Sequence, residues 1–217
     1  MLKSVIFDLD GVVADSHPLH MRAWRRFLLT RGLTVTDEKL AFVRDGRRKQ
    51  EILRFFLGEL SDNQIQAYGR EKDRLFQEEV HSLRTMEGVG ELLDELHRAA
   101  IPTAIASSGS LWRVHHILNL LGLRNYFATV VTGDEVRVGK PHPAIFYKAA
   151  RQMRVRPEES LVLEDSVSGV RAATAGGLKC LGIADPCRAP VLLEAGAKQV
   201  FPNCSDTSLS QLRKLFA

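Results

Sequence analysis

An α/β fold built on a doubly wound parallel sheet is the architecture this sequence predicts, and three observations predict it. Short β-branched or apolar runs recur at residues 4–7, 103–106, 129–131, 161–163, 180–183 and 199–201. Helical patterns lie between the later runs, at 111–121, 144–153 and 168–175, and this alternation is the signature of parallel βαβ units. Several runs also end in polar or acidic residues, at the carboxyl ends of strands, where open parallel sheets bind their ligands.

The first run, Val5-Ile6-Phe7, leads directly into Asp8-Leu9-Asp10-Gly11. Asp8 and Asp10 project together into the crevice above the sheet. Two like charges this close raise one another's pKa unless a cation intervenes, so the pair predicts one protonated acid, a bound divalent metal, or both. No strand is evident over residues 16–85. Leu19, Ala23, Trp24, Phe27 and Leu28 repeat at helical spacing and stop at Gly32; Ile52, Leu53, Phe56 and Leu57 form a second apolar face ending near Gly58. Ser61-Asp62 is the expected cap of the next helix. The expected organisation is therefore a catalytic core of residues 1–15 and 86–217, with residues 16–85 inserted as a helical lobe placed to act as a lid.

Three further strand ends carry complementary chemistry. Ala106-Ser107-Ser108-Gly109-Ser110 offers hydroxyls and backbone N–H groups to an oxyanion. Gly139-Lys140-Pro141-His142-Pro143 holds Lys140 in a loop ahead of a helix. Leu161-Val162-Leu163-Glu164-Asp165-Ser166 ends an apolar strand in two acids and passes into another helix. Oxygen donors from two strand ends suit Mg²⁺, which takes few carboxylates and completes its shell with water and substrate phosphate.

Composition narrows the partners. The 217 residues are 45% hydrophobic and 26% charged, an ordinary globular balance, and the formal net charge is +4. With a pI near 9.1 the chain favours anionic small molecules. Arg44 and Arg47-Arg48-Lys49 lack the interleaved aromatics of a nucleic-acid surface, and no apolar stretch has the length of a membrane span. Cys180, Cys187 and Cys204 show neither zinc spacing nor an even count, so reduced thiols and a cytoplasmic location are expected.

The runs FDLDGVVAD, ASSGS, GKPHPAIF and LEDSVSGVRAATAGG, in this order with a helical insert after the first, resemble the haloacid dehalogenase superfamily, in its β-phosphoglucomutase and sugar-phosphatase branch. The resemblance covers essentially the whole chain. It implies a Rossmann-like core with an α-helical cap, and an Mg²⁺-dependent enzyme that forms an aspartyl-phosphate on Asp8. It makes Asp10 the general acid and base, able to turn away and keep its proton, and places Ser107 and Lys140 around the transferring oxygens. Metal ligation is assigned to Asp8, the Asp10 backbone carbonyl and Asp165, with Glu164 beside the metal or just behind. Gly11, His20, Lys49, Lys72 and Ser108 are the expected substrate contacts. Lys49 stands where arginine is usual in that branch, which weakens the case for a second phosphate. Hydrolysis of a small sugar or polyol phosphate by a monomeric enzyme is the expected activity, isomerisation of β-glucose 1-phosphate the alternative, and a non-catalytic binding role a remote third.

Overall fold

The computed structural model describes residues 1–216. In chain order its elements are β1 (Ser4–Phe7), α1 (His17–Leu29), α2 (Asp37–Leu40), α3 (Lys49–Leu57), α4 (Asp62–Gln77), α5 (Val89–Arg98), β2 (Thr103–Ser107), α6 (Leu111–Leu120), β3 (Thr129–Thr132), α7 (Ala144–Gln152), β4 (Ser160–Glu164), α8 (Val167–Ala175), β5 (Lys179–Ile183), α9 (Ala189–Glu194), β6 (Val200–Phe201) and α10 (Leu209–Lys214). Each of the expected strands is present to within a residue at either end. The six strands form one sheet in the order β3-β2-β1-β4-β5-β6, and every pairing is parallel.

This order reverses direction between β1 and β4, and such a switch point leaves a crevice at the carboxyl edge. The register aligns the two strands there. Phe7 pairs with Leu163, so Asp8 and Glu164 leave the sheet side by side. Side-chain alternation divides the strands between two apolar layers. Val5, Phe7, Ile105, Leu161 and Leu163 pack in one, while Ile6, Ala104, Ala106 and Val162 pack against α7 and α8 in the other. Because both faces are covered, the strands read as continuous apolar runs.

The inserted helices pack their apolar faces together in continuity with the first of these layers. Leu19, Ala23, Trp24, Phe27 and Leu28 of α1 are buried, as their spacing predicts, and Trp24 meets Phe27 edge-on with ring centroids 5.5 Å apart. Ser61 caps α4 with a reciprocal box: its backbone N–H donates to Gln64 Oε1 at 2.9 Å, and its hydroxyl accepts from the Gln64 N–H. The chain leaves and re-enters the sheet layer through adjacent segments. Ala14 bridges Thr85, and the Met86 N–H donates to the Val13 carbonyl at 2.9 Å.

Candidate active site

At the end of β1, Asp8 is still held by the sheet, its N–H donating to the Leu163 carbonyl at 2.9 Å. Lys140 reaches it from the loop before α7. The ammonium group lies 2.5 Å from Asp8 Oδ1, 2.6 Å from Glu164 Oε1 and 3.2 Å from the Ala106 carbonyl, an acceptor for each of its protons. Burial alone would lower the Lys140 pKa, but Asp8 and Glu164 outweigh it and raise the value, so Lys140 is a fixed cation. Asp8 is pushed up by burial, which Lys140 opposes and Glu164, Asp10 and Asp165 reinforce. One ammonium shared between two carboxylates cannot fully offset the cost of burying Asp8.

Glu164 has no oxygen to spare. Oε1 engages Lys140, and Oε2 accepts from the Ser166 N–H at 2.7 Å and the Ser166 hydroxyl at 2.9 Å. Gly169 makes room for it, since a Cβ there would stand 1.8 Å from Glu164 Oε1. Asp165 turns the other way and lines the cavity, with His17 Nε2 at 2.7 Å and an Arg188 nitrogen at 3.6 Å from Oδ2. Among the described residues no group of three or more His, Cys, Asp or Glu side chains forms a metal cage. The donor set nevertheless fits Mg²⁺. Asp8, Asp165 and the Asp10 carbonyl offer oxygen only, and Asp8 and Glu164 share a single buried lysine, an excess of negative charge that a divalent cation would balance.

Asp10 lies in a different environment. Its Oδ1 accepts from the Ser16 hydroxyl at 2.6 Å and from Arg113 Nη1 at 2.8 Å, and its Oδ2 accepts from Arg113 Nη2 at 2.7 Å. Burial would raise its pKa, but Arg113 and His20 hold the carboxyl well below the usual range. In this arrangement both Asp10 oxygens act as acceptors and none as a donor. The reason is Arg113. His20 Nε2 lies 3.3 Å from Asp10 Oδ1, and Lys72 Nζ lies 2.7 Å from His20 Nδ1. Arg113 Nη1 lies 3.0 Å from the same Nε2, so Lys72, Arg113 and Asp10 all meet one imidazole. Burial and Lys72 depress His20 to about 3, and burial with Arg113 lowers Lys72 to about 7.

Of the residues expected at the site, Asp8, Asp10, His20, Lys49, Lys72, Ser108 and Asp165 line one cavity, which encloses about 80 Å³. Ser107, Lys140 and Glu164 are buried residues behind that wall, and Gly11, at φ +80°, lines a neighbouring cavity with His17. Lys49 pairs with Asp73. Ser108 donates its hydroxyl to the Gly46 carbonyl at 2.6 Å, so it ties the insert to the core. Arg113, Ser16 and His17 were not anticipated. Arg113 had a signal: it stands one turn before Ile117 on the face of α6 that also buries Val114 and Leu118. An arginine in that position needs a buried acid.

The fold and this constellation of acids, lysine and serines agree with comparisons to known proteins. The family model for haloacid dehalogenase-like hydrolases matches residues 5–183, and the chain belongs to that family. It is an enzyme of the phosphatase or phosphomutase type. Hexitol phosphatase A of Escherichia coli is 32% identical over 194 residues, covering 88% of each chain. The phosphorylated carbohydrates phosphatase of Thermotoga maritima is 34% identical over 203 residues, covering 90% of this chain and 92% of its own. Among solved structures, β-phosphoglucomutase from Clostridium difficile superposes with a TM-score of 0.89 over 99% of this chain and 96% of its own; at 22% identity this speaks to the fold. CbbY from Rhodobacter sphaeroides in complex with phosphate gives a TM-score of 0.85 at 26% identity, covering 98% of this chain and all, 100%, of its own.

Proposed function

We propose that this protein hydrolyses a small sugar or polyol phosphate in two steps through an aspartyl-phosphate on Asp8. The observation that carries this reading is the buried Asp8–Lys140–Glu164 triad with Asp165 beside it. Asp10 leaves Arg113 and takes up a proton as substrate binds; Asp8 then attacks phosphorus while the leaving oxygen takes that proton from Asp10, and water, deprotonated by the Asp10 carboxylate, attacks the phosphoenzyme, freeing Asp8 and inorganic phosphate. Lys140 orients Asp8 and offsets charge on the transferring group, and Glu164 fixes Lys140. Mg²⁺ held by Asp8, Asp165 and the Asp10 carbonyl would neutralise phosphate oxygens as charge develops. Ser107 accepts from the Gly109 N–H at 3.1 Å and so shapes the loop that meets the phosphate.

Residues 16–85 act in this reading as a lid on the core, hinged where Ala14 meets Thr85. Ligand cavities commonly measure about 300–1,000 Å³, so a space of about 80 Å³ implies that the lid opens for entry. The names of the two bacterial phosphatases support a phosphorylated carbohydrate as substrate. No helix among the described residues is long and apolar enough to cross a membrane, and the free thiols suit a reducing compartment, in keeping with a cytoplasmic enzyme.

The test is phosphate release from a panel of hexitol and sugar phosphates with and without Mg²⁺. Activity that requires the metal and disappears in Asp8→Asn is expected; near wild-type turnover by Asp8→Asn would refute the mechanism. The insert's His20, Lys49 and Lys72 on the cavity wall also favour a second reading, a mutase that admits a sugar hydroxyl in place of water. Incubation with β-glucose 1-phosphate and a trace of bisphosphate distinguishes them, because a mutase makes glucose 6-phosphate and a phosphatase makes glucose and phosphate.

A further inference from the structure

Asp10 cannot serve as acid and base while Arg113 grips it. The grip is a parallel fork, with Nη1 2.8 Å from Oδ1 and Nη2 2.7 Å from Oδ2, which is how a guanidinium recognises a planar carboxylate. Arg113 is only 6% exposed, and the Phe76 ring lies 5.7 Å from its Cζ. Gly109 leaves it space, since a Cβ there would stand 2.1 Å from Nη2. When Asp10 moves to the substrate, Arg113 is left as a buried cation without its partner, and such a state is strongly unfavourable. Its other acidic neighbours are engaged: Asp8 pairs with Lys140 and Asp73 with Lys49. His20 Nε2 lies 3.0 Å from Nη1 but carries no charge and reaches only one arm of the fork, and the guanidinium lines the cavity, so an anionic acceptor has to arrive with the substrate.

We propose that Arg113 determines specificity by exchanging the Asp10 carboxylate for a carboxylate on the leaving-group side of the substrate, so that phosphorylated sugar acids are preferred to the corresponding polyol phosphates. A sugar acid supplies the same planar acceptor that Asp10 gives up, and a polyol does not. The inference rests on the phosphatase reading.

The experiment compares kcat/KM for a phosphorylated hexitol and the phosphorylated aldonate of equal chain length, using the full chain with Mg²⁺. The wild type is expected to favour the aldonate phosphate by about 10- to 100-fold, the range of a charge-assisted hydrogen bond. Arg113→Gln brings the ratio close to one, and Arg113→Lys, with charge but no fork, falls between. Taking the ratio within each variant removes any loss of folded protein. A second readout needs no turnover: Asp8→Asn binds the aldonate phosphate more tightly than the hexitol phosphate, and Asp8→Asn/Arg113→Gln binds them alike. Hydrolysis with the same selectivity in the wild type and Arg113→Gln overturns the role of Arg113 alone. Absence of phosphate release from both compounds by the wild type overturns the phosphatase reading and this inference with it.

Discussion

Replacing Lys140 with methionine keeps the approximate volume of a fully buried side chain and deletes the charge that Asp8 and Glu164 share. The two carboxylates would then be buried without a cation. Breaking a buried pair by removing one partner costs about 3–5 kcal/mol. For a chain of 150–250 residues each kcal/mol moves Tm by about 2–4 °C, so Lys140→Met is expected to melt about 6–20 °C below the wild type. The loss should depend on pH. Burial and its acidic neighbours already raise the Asp8 pKa, and Lys140 is the group that opposes them. Without Lys140 the value rises further. A carboxyl whose folded pKa is raised stabilises the fold fully below its unfolded value, near 3.8, and that contribution is lost as pH rises through the folded value. The deficit of Lys140→Met should therefore be smaller at about pH 5 than at about pH 8. Thermal melts by circular dichroism at the two pH values are the assay. A Tm within about 2 °C of the wild type at pH 8, or a deficit equal at both pH values, would refute this account of the triad.

Other substitutions probe neighbouring parts of the site. Gly169→Ala puts a Cβ 1.8 Å from Glu164 Oε1 and must displace that carboxylate; turnover should fall by about 10-fold or more, against little change for Ala at exposed Gly177. Gly177 lies at φ +71°, so that control carries only local backbone strain. Because Arg113 and His20 hold Asp10 below the carboxylate value of 3.8, Asp10 contributes stability above that pH and loses it on acidification; Arg113→Gln should flatten this acid limb in urea titrations at pH 3–5. Thiol labelling of the native protein should modify exposed Cys187 rapidly and leave buried Cys180 and Cys204 untouched until denaturant is added. Burial raises the Cys180 thiol pKa and pushes Cys204 up to about 12, which slows both.

Much of this molecule was legible along the chain because the relevant physics is local. Strands buried on both faces must be apolar throughout, so Ser4–Phe7 and Ser160–Glu164 declare themselves, and the acids that end them mark the sheet's ligand edge. Ser61 announced α4 because capping is a contact over three residues. The burial of Trp24 and Phe27 followed from helical spacing alone.

What each polar group does at the site was decided elsewhere. Lys49 and Lys72, the expected substrate contacts, both line the cavity, where Lys49 pairs with Asp73 and Lys72 lies against His20. Both partners depend on the crossing of α1, α3 and α4. Glu164 and Asp165 are adjacent in sequence, yet strand alternation sends one to Lys140 and the other to the cavity. The grip of Arg113 on Asp10 spans 103 residues and exists only because β1 and β2 are neighbours in the sheet. Sequence alone determined the strand order's raw material, the helical insert and the acids available for phosphoryl transfer, since periodicity and residue type set those. Tertiary structure decided which acid is neutralised by which cation, because that depends on distances of a few ångströms between segments far apart in the chain.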